Sequence, residues 1–281
     1  MKTQKVIKEL YGGDVRVIFY PKSHRYKLDG QKSYLPSVTT CTGIIDKSRQ
    51  LLKWATDLSC KYIHNYVEKK GDIFTAFEVK EVAEEARDQY NKVRDRAGGI
   101  GSITHDVAEA YAKKRIGCSD ESIKIKDIID KHVKESGFEV TSENLKAVMN
   151  GVNAFLDWDK ENDVEYLEVE RFIYSKKHKF VGQTDVYGIV NGKRVLVDYK
   201  TSKGVYHEQF IQLAGYKIAF EEETGIKLDG VYLLHFCKEK GEFKAYYFAK
   251  KDLKVYQKLF LHCLGLVSLL KDVKKIKLEH E

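Results

Sequence analysis

Asp198 and Lys200 stand two residues apart in "RVLVDYKTS" (194–202), directly after the apolar run Val195, Leu196, Val197. In a strand, residues i and i+2 face the same side. An acid and an amine therefore meet at one spot where the apolar run stops. Counting across the preceding hairpin adds a second acid. Asn191-Gly192 is a strong two-residue turn signal. A turn centred there sets Val186 opposite Val197 and Asp185 opposite Asp198, at a non-hydrogen-bonded position where Cα atoms approach to about 4.5 Å. A further hairpin centred on Lys177-His178 places Glu170 opposite Asp185. Glu170, Asp185 and Asp198 then form a row of acids across adjacent strands. Glu168, two residues before Glu170, shares its face and is either part of this row or a surface acid.

Like charges directly opposite one another destabilise a sheet, so the row requires something positive. Lys200 or another basic side chain would make it a structural ion cluster. A divalent hard cation, which takes oxygen ligands, would make it a reactive centre. The residues alone leave both open. Gln212 and Tyr216 lie i,i+4 on one predicted helix and share a face. They either complete an amphipathic helix or support the acid row. Thr201 and Ser202 follow the strand and would bond a phosphate or cap the next turn.

The elements that must carry these residues change character along the chain. "VRVIFY" (15–20) and "RYKLDG" (25–30) predict an N-terminal hairpin around "PKSH", within residues 1–36. Ser37 is placed to cap a helix, and residues 37–163 read as helical. "RQLLKWATDLSCKYIHNYV" and "NLKAVMNGVNAFLDWDKEN" have helical apolar spacing. Gly98, Gly99 and Gly101 are expected to interrupt the charged helix "VKEVAEEARDQYNKVRDRA", with "SITHDVAEAYAKKRIG" starting another. From 164 to 281 short β-rich runs alternate with helices. "HEQFIQLAGYKIAFEEETG" predicts a helix closed by Gly225, and a last helix is expected over about 252–275. The whole predicts one α/β domain over 1–281, a mixed central sheet flanked by helices, with a helical N-terminal region.

The chain has 281 residues, 43% apolar and 32% charged, as in globular proteins. Its only prolines, Pro21 and Pro36, exclude a Pro-rich linker. "MKTQKVIKEL" lacks the apolar core of a signal peptide, and no apolar run approaches the ~18 residues of a membrane helix. The expectation is a cytoplasmic protein with no membrane partner. A net charge of +7 suits a polyanionic partner, although lysines are spread along the chain as on any solvated surface. Cys41, Cys60, Cys118, Cys237 and Cys263 form no CxxC pair, so they predict isolated reduced thiols rather than a metal cluster. The 18 tyrosines suit base stacking beside lysines and equally suit strands and cores.

"VGQTD", "LVDYKTS" and "QLAGY", in this order, resemble the PD-(D/E)XK nuclease superfamily in its RecB-like branch. "GSITHDVAEAY" supplies His105 where that branch has an upstream histidine, with Asp106 where glutamate is usual. "PSVT" (36–39), the Trp54 helix and Tyr199 to Ser202 are similar to phage exonucleases and the mitochondrial genome maintenance exonuclease. The resemblance implies a restriction-endonuclease-like core and a DNA exonuclease dependent on Mg²⁺ or Mn²⁺. It implies action on single-stranded or end-bearing DNA in phage-type replication, recombination or repair. Partners would be DNA and phage replication or recombination proteins, in the cytoplasm of an infected host. The family's metal ligands carry over to His105, Asp185, Asp198 and the carbonyl of Tyr199. Lys200 becomes the catalytic amine, with Glu170, Gln212 and Tyr216 in support and Thr201 and Ser202 toward DNA. His105 would otherwise be a histidine hydrogen-bonded in the core. Beside carboxylates, an imidazole ligand favours Mn²⁺ slightly. The four cysteines of iron–sulfur members are lacking, so no cluster is expected. A flap or branched-DNA endonuclease and a non-catalytic nucleic-acid-binding module are the alternatives.

Overall fold

A computed structural model describes residues 5–71, 73–118, 123–202, 204–236 and 243–276. The N-terminal segment forms a three-stranded antiparallel meander of β1 (Val6–Leu10), β2 (Val15–Tyr20) and β3 (Arg25–Leu28). The sequence predicted only the second and third strands. "VIKEL" carries two charged residues in five and buries only Leu10, so it has no strong strand pattern. Leu10, Val17 and Tyr26 pack against Phe172, Tyr174 and Val181 of the main sheet.

Five helices follow: α1 (Val38–Thr42), α2 (Ser48–Lys70), α3 (Ala76–Arg115), α4 (Ile125–Ser136) and α5 (Ser142–Glu161). Ser37 caps α1, its Oγ accepting from the Thr40 amide at 3.0 Å. Thr75 and Glu78 close a capping box at the start of α3. The expected break at Gly98, Gly99 and Gly101 does not occur, because α3 runs through all three. Gly99 serves packing instead: a Cβ there would lie 2.6 Å from a ring carbon of buried Phe138. The poor helix propensity of glycine concealed this continuity. None of the α2 side chains is buried, and the first half of α3 buries only Val82 and Ala86. These segments form an antiparallel helical hairpin. It is held by Ser59 donating to the Ala86 carbonyl at 2.8 Å and by Trp54 edge-on to Tyr90 at 5.2 Å.

The remaining chain builds β4 (Val164–Ser175), β5 (Phe180–Val190), β6 (Lys193–Lys200), α6 (His207–Thr224), β7 (Gly230–Phe236), β8 (Phe243–Ala249) and α7 (Leu253–Val273). The five strands lie in the order β4-β5-β6-β7-β8. In this sheet the β6–β7 pair is parallel, with α6 as its crossover, and the other three neighbouring pairs are antiparallel. The fold class is thus the expected mixed α/β sheet flanked by helices, with a helical N-terminal region. Residues 237–242, with Cys237, lie outside the described residues. Alternation along β6 divides the core. Val195, Val197 and Tyr199 pack with Phe155 and Trp158 of α5, while Leu196 packs with Leu213 and Phe220 of α6. β5 outruns β6, and the "PSVT" segment takes the free edge: Ser37 bridges Val181 in parallel, and the Val181 amide donates to the Pro36 carbonyl at 3.1 Å.

The expectation that no stretch could match a membrane helix needs correction. By length and composition α7 is apolar enough to cross a membrane. Leu253, Phe260 and Val267, each two turns apart, seat one stripe of it, while Leu266, Leu269 and Leu270 remain exposed. The scattered lysines of the last helix hid this run.

The continuity of α3 separates two neighbouring substitutions. Gly98 has nothing within 4 Å of a built Cβ, so Gly98→Ala should stabilise the fold by about 0.5–1 kcal/mol through helix propensity. Gly99→Ala meets the Phe138 ring and should destabilise it by about 1–3 kcal/mol. Urea unfolding of both variants checks this, and a helix broken at the glycines would abolish the gain at Gly98.

Candidate active site

Asn191 and Gly192 both have left-handed backbone, φ 50° and 75°, as a type I′ turn requires. The turn fixes the expected register: Val190 pairs Lys193 and Val186 pairs Val197. Ladder pairing stops there, one residue before the two aspartates. Asp185 instead turns its carboxylate onto the next strand, where Oδ2 accepts from the Tyr199 amide at 2.8 Å. The β4–β5 register also matches the count over its outer part, with Val169 opposite Val186 and Arg171 opposite Thr184. Glu170 sits between those pairs with φ 54°. A non-glycine residue in this conformation costs about 1–2 kcal/mol, and a local twist inside a strand re-aims its side chain.

The result is a compact donor set. His105 on α3, Glu170 on β4 and Asp185 on β5 each offer one ligand atom, all within 4.8 Å of one another. Nε2 of His105 lies 3.4 Å from Oδ2 of Asp185. The Tyr199 ring stands edge-on to the imidazole at 5.7 Å, so the strand that binds Asp185 also supports His105. Asp198 is adjacent but differently engaged. Its Oδ2 lies 2.6 Å from Nζ of Lys200, yet the same buried atom has no hydrogen bond of acceptable geometry. Of the four implied metal ligands, the structure brings together His105 and Asp185, adds Glu170, and leaves Asp198 beside Lys200. Tyr199 contributes its ring and amide to this arrangement.

Electrostatics follow from this crowding. Burial, then the charges of Glu109 and Asp185, push Glu170 up to about 7. Burial, opposed by Lys200 and reinforced by Asp185, pushes Asp198 up to about 6. Burial lowers His105, but the hydrogen bond and charge of Asp185 outweigh it and raise the imidazole to about 9. Asp185 is held below its ordinary range, because His105, Lys200 and the Tyr199 amide together overcome its burial. Burial would lower Lys200, but Asp198 and Asp185 keep it raised and charged. These acids fit a divalent cation: a clustered His and two carboxylates, with an under-satisfied buried carboxylate oxygen beside them, is a hard-ion donor set.

Two contributors escaped the sequence reading. Gln183 Nε2 donates to Glu170 Oε2; its position two residues before Asp185, on the same strand face, was the available signal. Glu109 groups with His105 and Asp106 as a second donor set, and it is i+4 from His105 on one helix face. Asp106 turns toward α4, 3.0 Å from His132 Nε2 and 3.6 Å from Lys131 Nζ. Glu168 pairs with Arg171, which also holds Glu223 at 2.7 Å, so it stands outside the site. Gln212 Nε2 donates to the Tyr216 hydroxyl at 2.6 Å. Tyr216 is buried, and a Cβ on Gly182 would lie 2.8 Å from its ring. It therefore packs behind the acids rather than on an open surface. Ser202 is engaged by its own loop: Oγ donates to the Gly204 carbonyl at 2.6 Å and accepts from Gln209 at 2.9 Å. Thr201, beside it, is half-buried.

A family model described as the PD-(D/E)XK nuclease superfamily matches residues 76–275. No curated protein matches the sequence. Among solved structures, SSO0001 is 15% identical, covering 61% of this chain and 74% of that one, at a TM-score of 0.26. An alkaline exonuclease (LHK-Exo) from Laribacter hongkongensis is 12% identical over 59% of this chain and 93% of its own, at a TM-score of 0.25. LHK-Exo in complex with dAMP is 10% identical, covering 62% and 98%, at a TM-score of 0.24.

The raised groups set a pH dependence for the metal-free protein. His105 stabilises the fold fully below about pH 6.5 and ceases to do so as pH rises through about 9. Glu170 and Asp198 act in the same sense, their protonated forms being favoured in the fold up to about pH 7 and about pH 6. Within the site Asp185 acts in the opposite sense, favouring the fold above its unfolded value. The melting temperature in chelator should fall between about pH 6 and about pH 9. Millimolar Mn²⁺ should raise it more at the alkaline end, because the cation takes deprotonated ligands. Calorimetry at both pH values tests this. An equal Mn²⁺ shift at both, unchanged in Asp185→Asn, would contradict the donor assignment.

Proposed function

The chain belongs to the PD-(D/E)XK nuclease superfamily, and from that membership we propose that it is a divalent-metal-dependent DNA exonuclease acting on single strands or duplex ends. The observation that carries this reading is the convergence of His105, Glu170 and Asp185 beside the buried Asp198–Lys200 pair. Metal dependence is supported by that donor set, and DNA as the polymer by the net charge of +7 and the ordered motifs. The preference for ends or single strands, and a role in phage-type replication, recombination or repair, rest on the motif resemblance. The unburied hairpin of α2 and early α3 is a surface along which a strand could be guided.

His105, Glu170 and Asp185, with Asp198 adjoining, would hold Mg²⁺ or Mn²⁺, which would supply Lewis acidity and lower the pKa of water. The chain's own residues do the rest. Lys200 is an ammonium that stays protonated beside Asp198 and Asp185, and it donates toward the charge that grows on the scissile phosphate. Asp198 holds that ammonium in place at 2.6 Å. Asp185 binds the Tyr199 amide, which locks the end of β6 against β5, while Gln183 orients Glu170. Gln212 and Tyr216 brace the far side.

Linear single strands should be degraded with either metal, while circular single strands remain intact. Lys200→Ala should lower the rate by about 10²–10³-fold with little change in DNA affinity. End-labelled and circular substrates on gels, with binding by fluorescence anisotropy, check both. Cut circles would favour an endonuclease, and unaltered binding without cleavage by the parent protein would favour a non-catalytic module.

A further inference from the structure

We propose that the groove between α7, the β4–β5 turn and the segment joining β3 to α1 binds the phosphates of a single nucleic-acid strand as it leads to or from the site. This rests on the nuclease reading and specifies where the polymer lies. The groove has a volume of about 730 Å³. Its ionisable lining is of one sign: Lys177, His178 and Lys179 from the turn and Lys271 from α7, with no acid among the lining residues. Among the described residues none of these lysines has an ion-pair partner. By contrast, Lys176, the first residue of the same turn, is 3.6 Å from Asp14.

Lys179 has φ 58°, a left-handed position that glycine or asparagine fills at less cost. A lysine there places a charge at the turn in spite of the strain. At the rim Arg25 and Lys27 gather over the Tyr34 ring, at 5.0 Å and 4.6 Å from its centroid. Between the cations the lining is apolar, from Leu35, Leu261, Leu264 and Val267. Duplex DNA presents mostly phosphate and sugar at its outer surface. An unpaired strand presents phosphates and base faces together, which suits lysines interleaved with apolar and aromatic surface. One strand joins the two places: β5 runs from Phe180, beside the turn, to Asp185, about 16 Å away at ~3.3 Å per residue.

The test is binding of a fluorescent single-stranded 20-mer to the full chain in chelator, together with cleavage of a dinucleotide in Mn²⁺. The reversal K177E/K179E/K271E should weaken 20-mer binding at least tenfold. It should also make the slope of log K against log salt shallower by about 2, since each phosphate contact on a single strand contributes about 0.7. Dinucleotide cleavage should be unchanged, which also shows that the variant is folded. The single variant K271E, on the α7 side alone, should shift the slope by about 0.7. An equal reversal at α4 and its N-cap, K124E/K126E/K134E, should leave binding within twofold. Unchanged 20-mer affinity and slope in the groove variants, or an equal loss in the α4 variant, would overturn the proposal. A parent protein that cleaves nothing but binds through the groove would sink the nuclease reading and leave the groove standing. Cleavage with groove-independent binding would do the reverse.

Discussion

Glu170, Asp185 and Asp198 are carried to one place by the pairing of β4, β5 and β6, and burying them there costs desolvation that must be offset locally. Each surrounding element supplies part of the offset. α3 brings His105, whose imidazole is raised to about 9 by the acids it meets. β6 brings Lys200 and the Tyr199 amide. β5 contributes Gln183. The offset is incomplete, since Glu170 and Asp198 remain shifted up to about 7 and about 6 and Asp198 Oδ2 lacks a proper hydrogen bond. A site assembled in this way has a standing affinity for one more positive charge.

The strands that do this carrying are placed by packing on both faces. Val195, Val197 and Tyr199 are committed to the α3–α5 side, and Leu196 to the α6–α7 side. A slip of one residue would exchange the two sets and bury Lys200 among Phe155 and Phe236, so register is strongly specified. The Tyr199 ring adds a direct link, packing on Phe155 and Phe236 while supporting His105. Core packing and the alignment of the acids are therefore one constraint.

Register was legible because local rules set it. Asn191-Gly192 admits left-handed backbone at both positions, and a two-residue turn centred there leaves one pairing of β5 with β6. The β4–β5 count was right from Glu168 outward, but an irregularity between Tyr166 and Glu168 shifts the inner part; no residue in that run announces it. The left-handed twist at Glu170 was equally hidden, because it arises from tertiary context and not from a turn residue. The continuity of α3 was obscured by helix propensity, which penalises glycine without knowing that Phe138 needs the space. Gln183 was visible as a neighbour of Asp185, but only the side-chain contact shows that it orients Glu170.

The ion pair of Asp198 with Lys200 and the donor set of His105, Glu170 and Asp185 stand side by side in one arrangement. Lys200 neutralises Asp198 and is held charged by it, which removes one carboxylate from the donor set in the metal-free fold. His105, Glu170 and Asp185 remain as that set, and the two groups touch through Asp185, whose range is lowered by both His105 and Lys200. A cation held by that set would therefore share the charge of Asp185 with Lys200. Burial of Asp198 at 3% side-chain exposure, against 22% for Lys200, gives the pair its direction: the acid is the anchor, and the amine is the end nearer solvent.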